Sequence, residues 1–144
     1  MNVIIRECKI QDYADIASLN KDEMGYNYPA DETRKKLLQL LNDVNHKIYV
    51  AIIDNQTVGY IHACNYDLLY APHLKNIMGI AVSSEFRNNG IGKMLMNEIE
   101  KWACETGALG VRLVSGATRT EAHSFYSACG YTSNKEQKNF IKMF

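Results

Sequence analysis

Proline is scarce in this chain, with only Pro29 and Pro72 among 144 residues. No Gly/Ser-rich tract, repeat or charge block marks a linker, and the length suits one domain over residues 1–144. Long apolar runs are missing too. None approaches the ~20 residues needed to cross a bilayer. The opening Met-Asn-Val-Ile-Ile meets a charge at Arg6, too early for a signal peptide. There is no excess of either charge. Sixteen Lys and Arg offset sixteen Asp and Glu and are scattered, so no basic stripe points to nucleic acid and nothing points to a membrane. Neutrality over the whole chain still allows a local positive site for an anion. Cys8, Cys64, Cys104 and Cys129 form no CxxC pair, and His46, His62, His73 and His123 are equally dispersed. A metal centre wants clustered ligands, so none is expected. Unpaired cysteines read as reduced thiols in a cytoplasmic protein.

Hydrophobic residues make up 47% of the chain, which excludes general disorder. Residues 3–7 read as a strand and 11–20 as a helix. Residues 21–31 break the pattern and read as a loop. Asp31 is expected to cap a helix over 32–44, with Leu37, Leu40, Leu41 and Val44 on its apolar face. Strands over 48–53 and 57–64 flank the turn Asp54-Asn55-Gln56 and make a hairpin. Residues 65–73 read as a loop and 75–82 as the fourth strand. A helix over 91–106 carries Ile91, Met94, Leu95, Ile99, Trp102 and Ala103 in one stripe. Then come a fifth strand (110–115), a short helix (121–129) and a last strand (139–143). The order predicts an α/β protein with a mixed sheet and helices on both faces.

Residues 80–95, IAVSSEFRNNGIGKML, are the most informative. A strand ends at Val82, a polar turn holds Arg87, Asn88, Asn89, Gly90 and Gly92, and a helix follows. Such a layout aims free N–H groups and a positive helix end at one point, a ready site for phosphate. Glycine lets the backbone come close, and Arg87 adds a fork for phosphate oxygens. An ordinary strand-to-helix turn would use glycines as well. A Walker A loop fits worse, since Arg87 stands where its first Gly belongs and Met94 follows Lys93. A dinucleotide-binding loop lacks its third Gly.

With its strand and its place in the chain, Arg87-Asn-Asn-Gly90-Ile-Gly92 resembles the acetyl-CoA loop of the GNAT superfamily, [RQ]xxGx[GA]. Phe125-Tyr126…Gly130-Tyr131 follows at the expected distance, and the resemblance spans nearly the whole chain. It implies the GNAT acyl-CoA N-acyltransferase fold, a mixed, mostly antiparallel sheet splayed between its fourth and fifth strands. It also implies an enzyme that moves acetyl from acetyl-CoA to a primary amine by direct attack. Glu100-x-Trp102-Ala103, Arg119-x-x-Ala122-His123 and Phe140-x-Lys142 look like a subset of small bacterial members with diverse substrates.

The resemblance implies the site residue by residue. Arg87, Asn88, Asn89, Gly90, Ile91, Gly92 and Lys93 would hold the CoA pyrophosphate. Backbone groups of Ile80, Ala81 and Val82 would hold the pantetheine arm, and the Val82 N–H would meet the developing oxyanion. Tyr126 matches the tyrosine that protonates the leaving thiolate, a transfer downhill from a phenol near pKa 10 to a thiol near 8.5. From the residues alone, Tyr126 also suits simple packing on the apolar face of its helix. Arg119 stands where many members carry Asn, and is read as a partner for a CoA phosphate or an acidic substrate. Asn76 stands where many place a Glu base, and an amide cannot serve. His73, His62, Asp22, Glu23 or a water chain remain as substitutes. In this fold the loop between the first two helices covers the acceptor, so Glu23, Tyr26 and Tyr28, with His73 and Asn76, are its expected contacts. Carboxylates and aromatics suit a cationic amine. A small-molecule acceptor is the first reading. A protein or peptide N-acetyltransferase and a non-catalytic acyl-CoA-binding module are the alternatives. Homodimers are common in the family, though no interface is legible here.

Overall fold

The structure, a computed structural model, describes all 144 residues. It divides into two units, Met1–Leu113 and Val114–Phe144.

The first unit is built on a five-stranded sheet in the order β1 (Ile4–Glu7), β2 (His46–Ile53), β3 (Gln56–Tyr66), β4 (Leu74–Val82), β5 (Val111–Arg112). The first four strands are antiparallel and β5 runs parallel to β4. Asp54 and Asn55 both take positive φ, at 49° and 64°, and Ile53 pairs with Gln56. This is the two-residue hairpin turn whose twist matches the strands; it sets the pairing as far as Ile52 and Thr57, and a bulge at Val58 then shifts the register by one residue, so that Ala51 pairs with Gly59.

Helices α1 (Tyr13–Met24) and α2 (Ala30–Leu41) cover one face. Their Ile16, Leu19 and Leu37 pack with Ile48, Val50, Ile52, Tyr60 and Ala81. Gly59 and Val82, one position along their strands from Tyr60 and Ala81, lie beside Leu95 of α3 (Ile91–Glu105). Successive strand residues point to opposite faces, so α3 covers the other one. It buries Ile91, Leu95, Met96, Ile99, Trp102 and Ala103. A mixed, mostly antiparallel sheet with helices on both faces is therefore what the chain forms.

Several expected boundaries move. The first helix follows a short 3-10 turn, Ile10–Asp12, and runs on to Met24, because Lys21-Asp22-Glu23-Met24 holds no breaker. Gly25 stops it at φ 74°, with the Tyr26 N–H on the Asn20 carbonyl at 2.9 Å. The loop predicted over 21–31 shrinks to residues 25–29, and Glu23 is helical. The next helix starts at Ala30, with Pro29 preceding it. Asp31 does not cap it; its carboxylate takes the adjacent Glu32 N–H instead. It ends at Leu41, leaving Val44 89% exposed rather than on an apolar helix face.

The second unit holds α4 (Thr120–Ala128). The predicted strand over 110–115 is reduced to Val111–Arg112, and no strand forms over 139–143. Alternation permits a strand but does not make one; the backbone also needs a paired neighbour. The unit contains no other strand, and Phe140, Ile141 and Met143 are exposed.

Candidate active site

The edge of β4 is the centre of the site. Across it, His62 pairs with Gly79 but Ala63 pairs with Ile77, so Met78 forms a bulge. On its other side β4 pairs with β5 only at Lys75 and Asn76. From Ile77 to Val82 no strand pairs with that side. The Ser83 N–H bonds the Val58 carbonyl at 2.8 Å. Antiparallel pairs alternate between bonded and non-bonded. The alternation therefore turns the backbone of Ala81 and Gly79 onto β3 and that of Ile80 and Val82 toward the unpaired side. Of the three predicted backbone contacts, Ile80 and Val82 present free groups. Ala81 bonds inward and buries its side chain against α1 and α2.

The strand leads through a 3-10 turn, Ser84–Phe86, into the polar loop. Asn88 takes φ 65° and Gly90 φ 75°. The Asn89 amide donates to the carbonyls of Phe86 and Arg87 at 3.0 and 3.1 Å and closes the turn. The Met94 N–H to Gly90 carbonyl bond, 3.0 Å, opens the helical ladder of α3. The N–H groups of Ile91, Gly92 and Lys93 lie ahead of it. The first turn holds no acid, and a Cβ at Gly90 would meet nothing within 4 Å. With Arg87 and Lys93 exposed beside it, this end of α3 is electropositive and open to solvent.

The expected acceptor residues are dispersed. Tyr26 and Tyr28 are exposed on the segment after α1. Glu23 instead turns its carboxylate to Arg87 Nη2 at 2.7 Å and the Ser84 N–H at 3.1 Å. Asn76 Oδ1 accepts a bond from Arg112, whose guanidinium lies 4.3 Å from the centre of the Tyr66 ring, and its Nδ2 meets Met78 Sδ at 3.1 Å. His73 sits between Asp67 Oδ1 at 2.7 Å and Lys75 Nζ at 3.1 Å. Both of its ring nitrogens are engaged, which leaves no lone pair for a base. Lys75 is itself 2% exposed, with Nζ 4.0 Å from the centre of the Trp102 ring; burial lowers its pKa.

His62 differs. Its Nε2 lies 2.9 Å from His46 Nδ1, and His46 Nε2 lies 3.8 Å from Asp43. Burial first, then the His46 charge, push its pKa down to about 4. It is a neutral imidazole on the face opposite α3, across from Gly79 and next to the bulge. Sequence reading missed this pair. No local pattern predicts it: the two-residue turn alone would set His46 opposite Ala63, and the bulge at Val58 moves it opposite Cys64 and so diagonal to His62.

In the second unit, Arg119 precedes α4 and Tyr126 lies on it, half-buried, with its ring 5.4 Å from Phe125 edge-to-face. Burial raises the phenol pKa, while Arg119 acts in the other direction. His123 Nε2 is 2.8 Å from the Gly116 carbonyl.

A family model described as Acetyltransferase (GNAT) family matches residues 13–131. The chain belongs to the GNAT acetyltransferase family. This GNAT protein is thus an N-acetyltransferase. It is 24% identical over 123 residues to aminoglycoside N(6')-acetyltransferase type 1 of Stenotrophomonas maltophilia, covering 82% of this chain and 80% of that relative. Its fold matches AAC(6')-Iy in complex with the bisubstrate analogue CoA-S-monomethyl-acetylneamine, with TM-score 0.88, 18% identity and 100% of each chain covered. It also matches a transcriptional regulator from Bacillus halodurans C-125, with TM-score 0.88, 21% identity, 98% of this chain and 100% of that one. No helix is long and apolar enough to cross a membrane.

Proposed function

We propose that this GNAT enzyme transfers acetyl from acetyl-CoA to a primary amine of a small molecule by direct attack. The observation that carries the reading is the continuous path from the outward-facing Ile80 and Val82 backbone to the free amides at the start of α3. Arg87 and residues 88–93 bind the pyrophosphate, and Ile80 and Val82 hold the pantetheine arm. A relative that acts on aminoglycosides supports a small amine over a peptide.

The amine nitrogen attacks the thioester carbon. The C–N bond forms, the Val82 N–H takes the oxyanion, and the C–S bond then breaks. Tyr126 gives its proton to the CoA thiolate, and its raised pKa keeps it protonated at neutral pH. Arg119 pairs with a CoA phosphate. The amine loses its proton to a water chain, since Asn76 is an amide and His73 has no free nitrogen. Tyr26 and Tyr28 receive the cationic acceptor.

The test is melting temperature with acetyl-CoA, CoA and ATP, each near 1 mM. A Kd of about 10 μM adds roughly 2.7 kcal/mol, a rise of several degrees for a chain this size. A shift with both CoA species and not with ATP is expected, followed by thiol release with an amine panel that includes aminoglycosides. A shift with ATP alone would overturn the reading of residues 80–93.

A further inference from the structure

Glu23 occupies an unfavourable position for an acid. It lies in the last turn of α1, at the negative end of the helix dipole. Yet its side chain is only 11% exposed, and its two oxygens take different donors: Oε1 the Arg87 guanidinium at 2.7 Å, Oε2 the Ser84 N–H at 3.1 Å. A guanidinium and a backbone N–H converging on two negative oxygens form an anion site. Here the anion is the protein's own. These donors flank the 3-10 turn that enters the polar loop, and Arg87 remains 52% exposed, within reach of a second anion. On the other side, Glu23 is two residues from Gly25, where the chain leaves α1 for the segment bearing Tyr26 and Tyr28.

We propose that Glu23 is a positioning residue that couples the two substrates: it holds Arg87 on α1 in the free enzyme, and the CoA diphosphate draws Arg87 away and frees the end of α1 to receive the amine. This rests on the reading of Arg87 as a diphosphate contact. The carboxylate and the diphosphate compete for one guanidinium and repel each other. Acetyl-CoA therefore binds first, and its affinity is reduced by the contact it must break.

Glu23→Gln keeps the shape and removes the charge. Measured by calorimetry, CoA should bind at least about fivefold tighter to this variant, in the usual range of coupling between sites. With the end of α1 no longer held, free Glu23→Gln should bind the amine without CoA, which the free wild type should not do, an order effect that a merely structural role would not produce. Glu23→Asp, one methylene too short to hold both donors, should also tighten CoA. Unchanged or weaker CoA binding in both variants, with wild-type binding intact, overturns the Glu23 proposal alone. Failure of both variants to fold also overturns it, since Glu23 would then be structural. Absence of CoA binding to the wild type removes the reading of Arg87 and this proposal with it.

Discussion

Burial holds the His62 imidazole at a pKa of about 4, against 6.5 for an ordinary histidine. Below pH 6.5 the unfolded chain takes up a proton that the folded chain refuses until about pH 4. Stability therefore falls as pH drops through that window and levels off beneath it, by at most about 3 kcal/mol. Asp12 acts elsewhere. Burial raises its pKa, but Arg6, the Lys9 N–H and Thr57 outweigh burial and hold it below 3.8, so its contribution is lost only in stronger acid. The groups facing His62 are His46, with Asp43 behind it. Denaturant titrations of wild type and His62→Gln at pH 7 and pH 4.5 check this: the variant should lose less stability between the two. Tyr126 is a question of chemistry rather than stability. Tyr126→Phe should lower kcat about 10²-fold, as for loss of a general acid, with CoA affinity kept. Unchanged kcat where chemistry limits the rate would leave Tyr126 as a packing partner of Phe125.

At the scale of elements, the join between β3, β4 and α3 has little slack. A Cβ at Gly59 would stand 3.1 Å from the Ala81 carbonyl oxygen and 3.4 Å from both Leu95 Cδ1 and Val82 Cγ2. Backbone cannot step aside as a side chain can. Gly59→Ala should cost about 1–3 kcal/mol by overpacking and weaken CoA binding by displacing Val82 relative to α3. At Gly79 the same methyl meets only the Tyr60 hydroxyl, at 3.6 Å. Gly79→Ala should be nearly neutral, and urea unfolding of the pair separates the two cases. The same contrast explains what was legible in the sequence. The stripe of α3, the hairpin and the strand–loop–helix over 80–95 rest on local chemistry and formed where expected, though the turn tightened from Asp54-Asn55-Gln56 to Asp54-Asn55, with Gln56 already in β3. The run of α1 past its apolar pattern to the Gly25 stop, and the missing strand over 139–143, which has no neighbour, were not legible from periodicity alone. The direction of each β4 amide likewise followed only from register, which separated Ile80 and Val82 from Ala81. The contacts of Glu23 join it to Ser84 and Arg87, 61 and 64 positions along the chain and beyond the reach of any local pattern, whereas those of His73 with Asp67 and Lys75 lie close in sequence and depend on how the segment between β3 and β4 folds.

Over the whole molecule, charge sets the conditions under which these tests can be run. Sixteen basic and sixteen acidic residues cancel, and the sequence pI is about 6.9. Near pH 7 copies of the chain do not repel each other. Their surfaces also carry exposed apolar side chains, among them Val44, Leu69 and Tyr70, so association is favoured there. Acid adds positive charge, but in the window where His62 costs stability. Base adds negative charge with no such cost. Solubility and stability should therefore be best together at about pH 8. Light scattering and melting temperature across pH 5–9 check this. Scattering should peak near pH 7 and fall on both sides, while melting temperature should fall on the acid side alone. A symmetrical fall in melting temperature would mean that net charge, and not the buried imidazole, controls stability in acid.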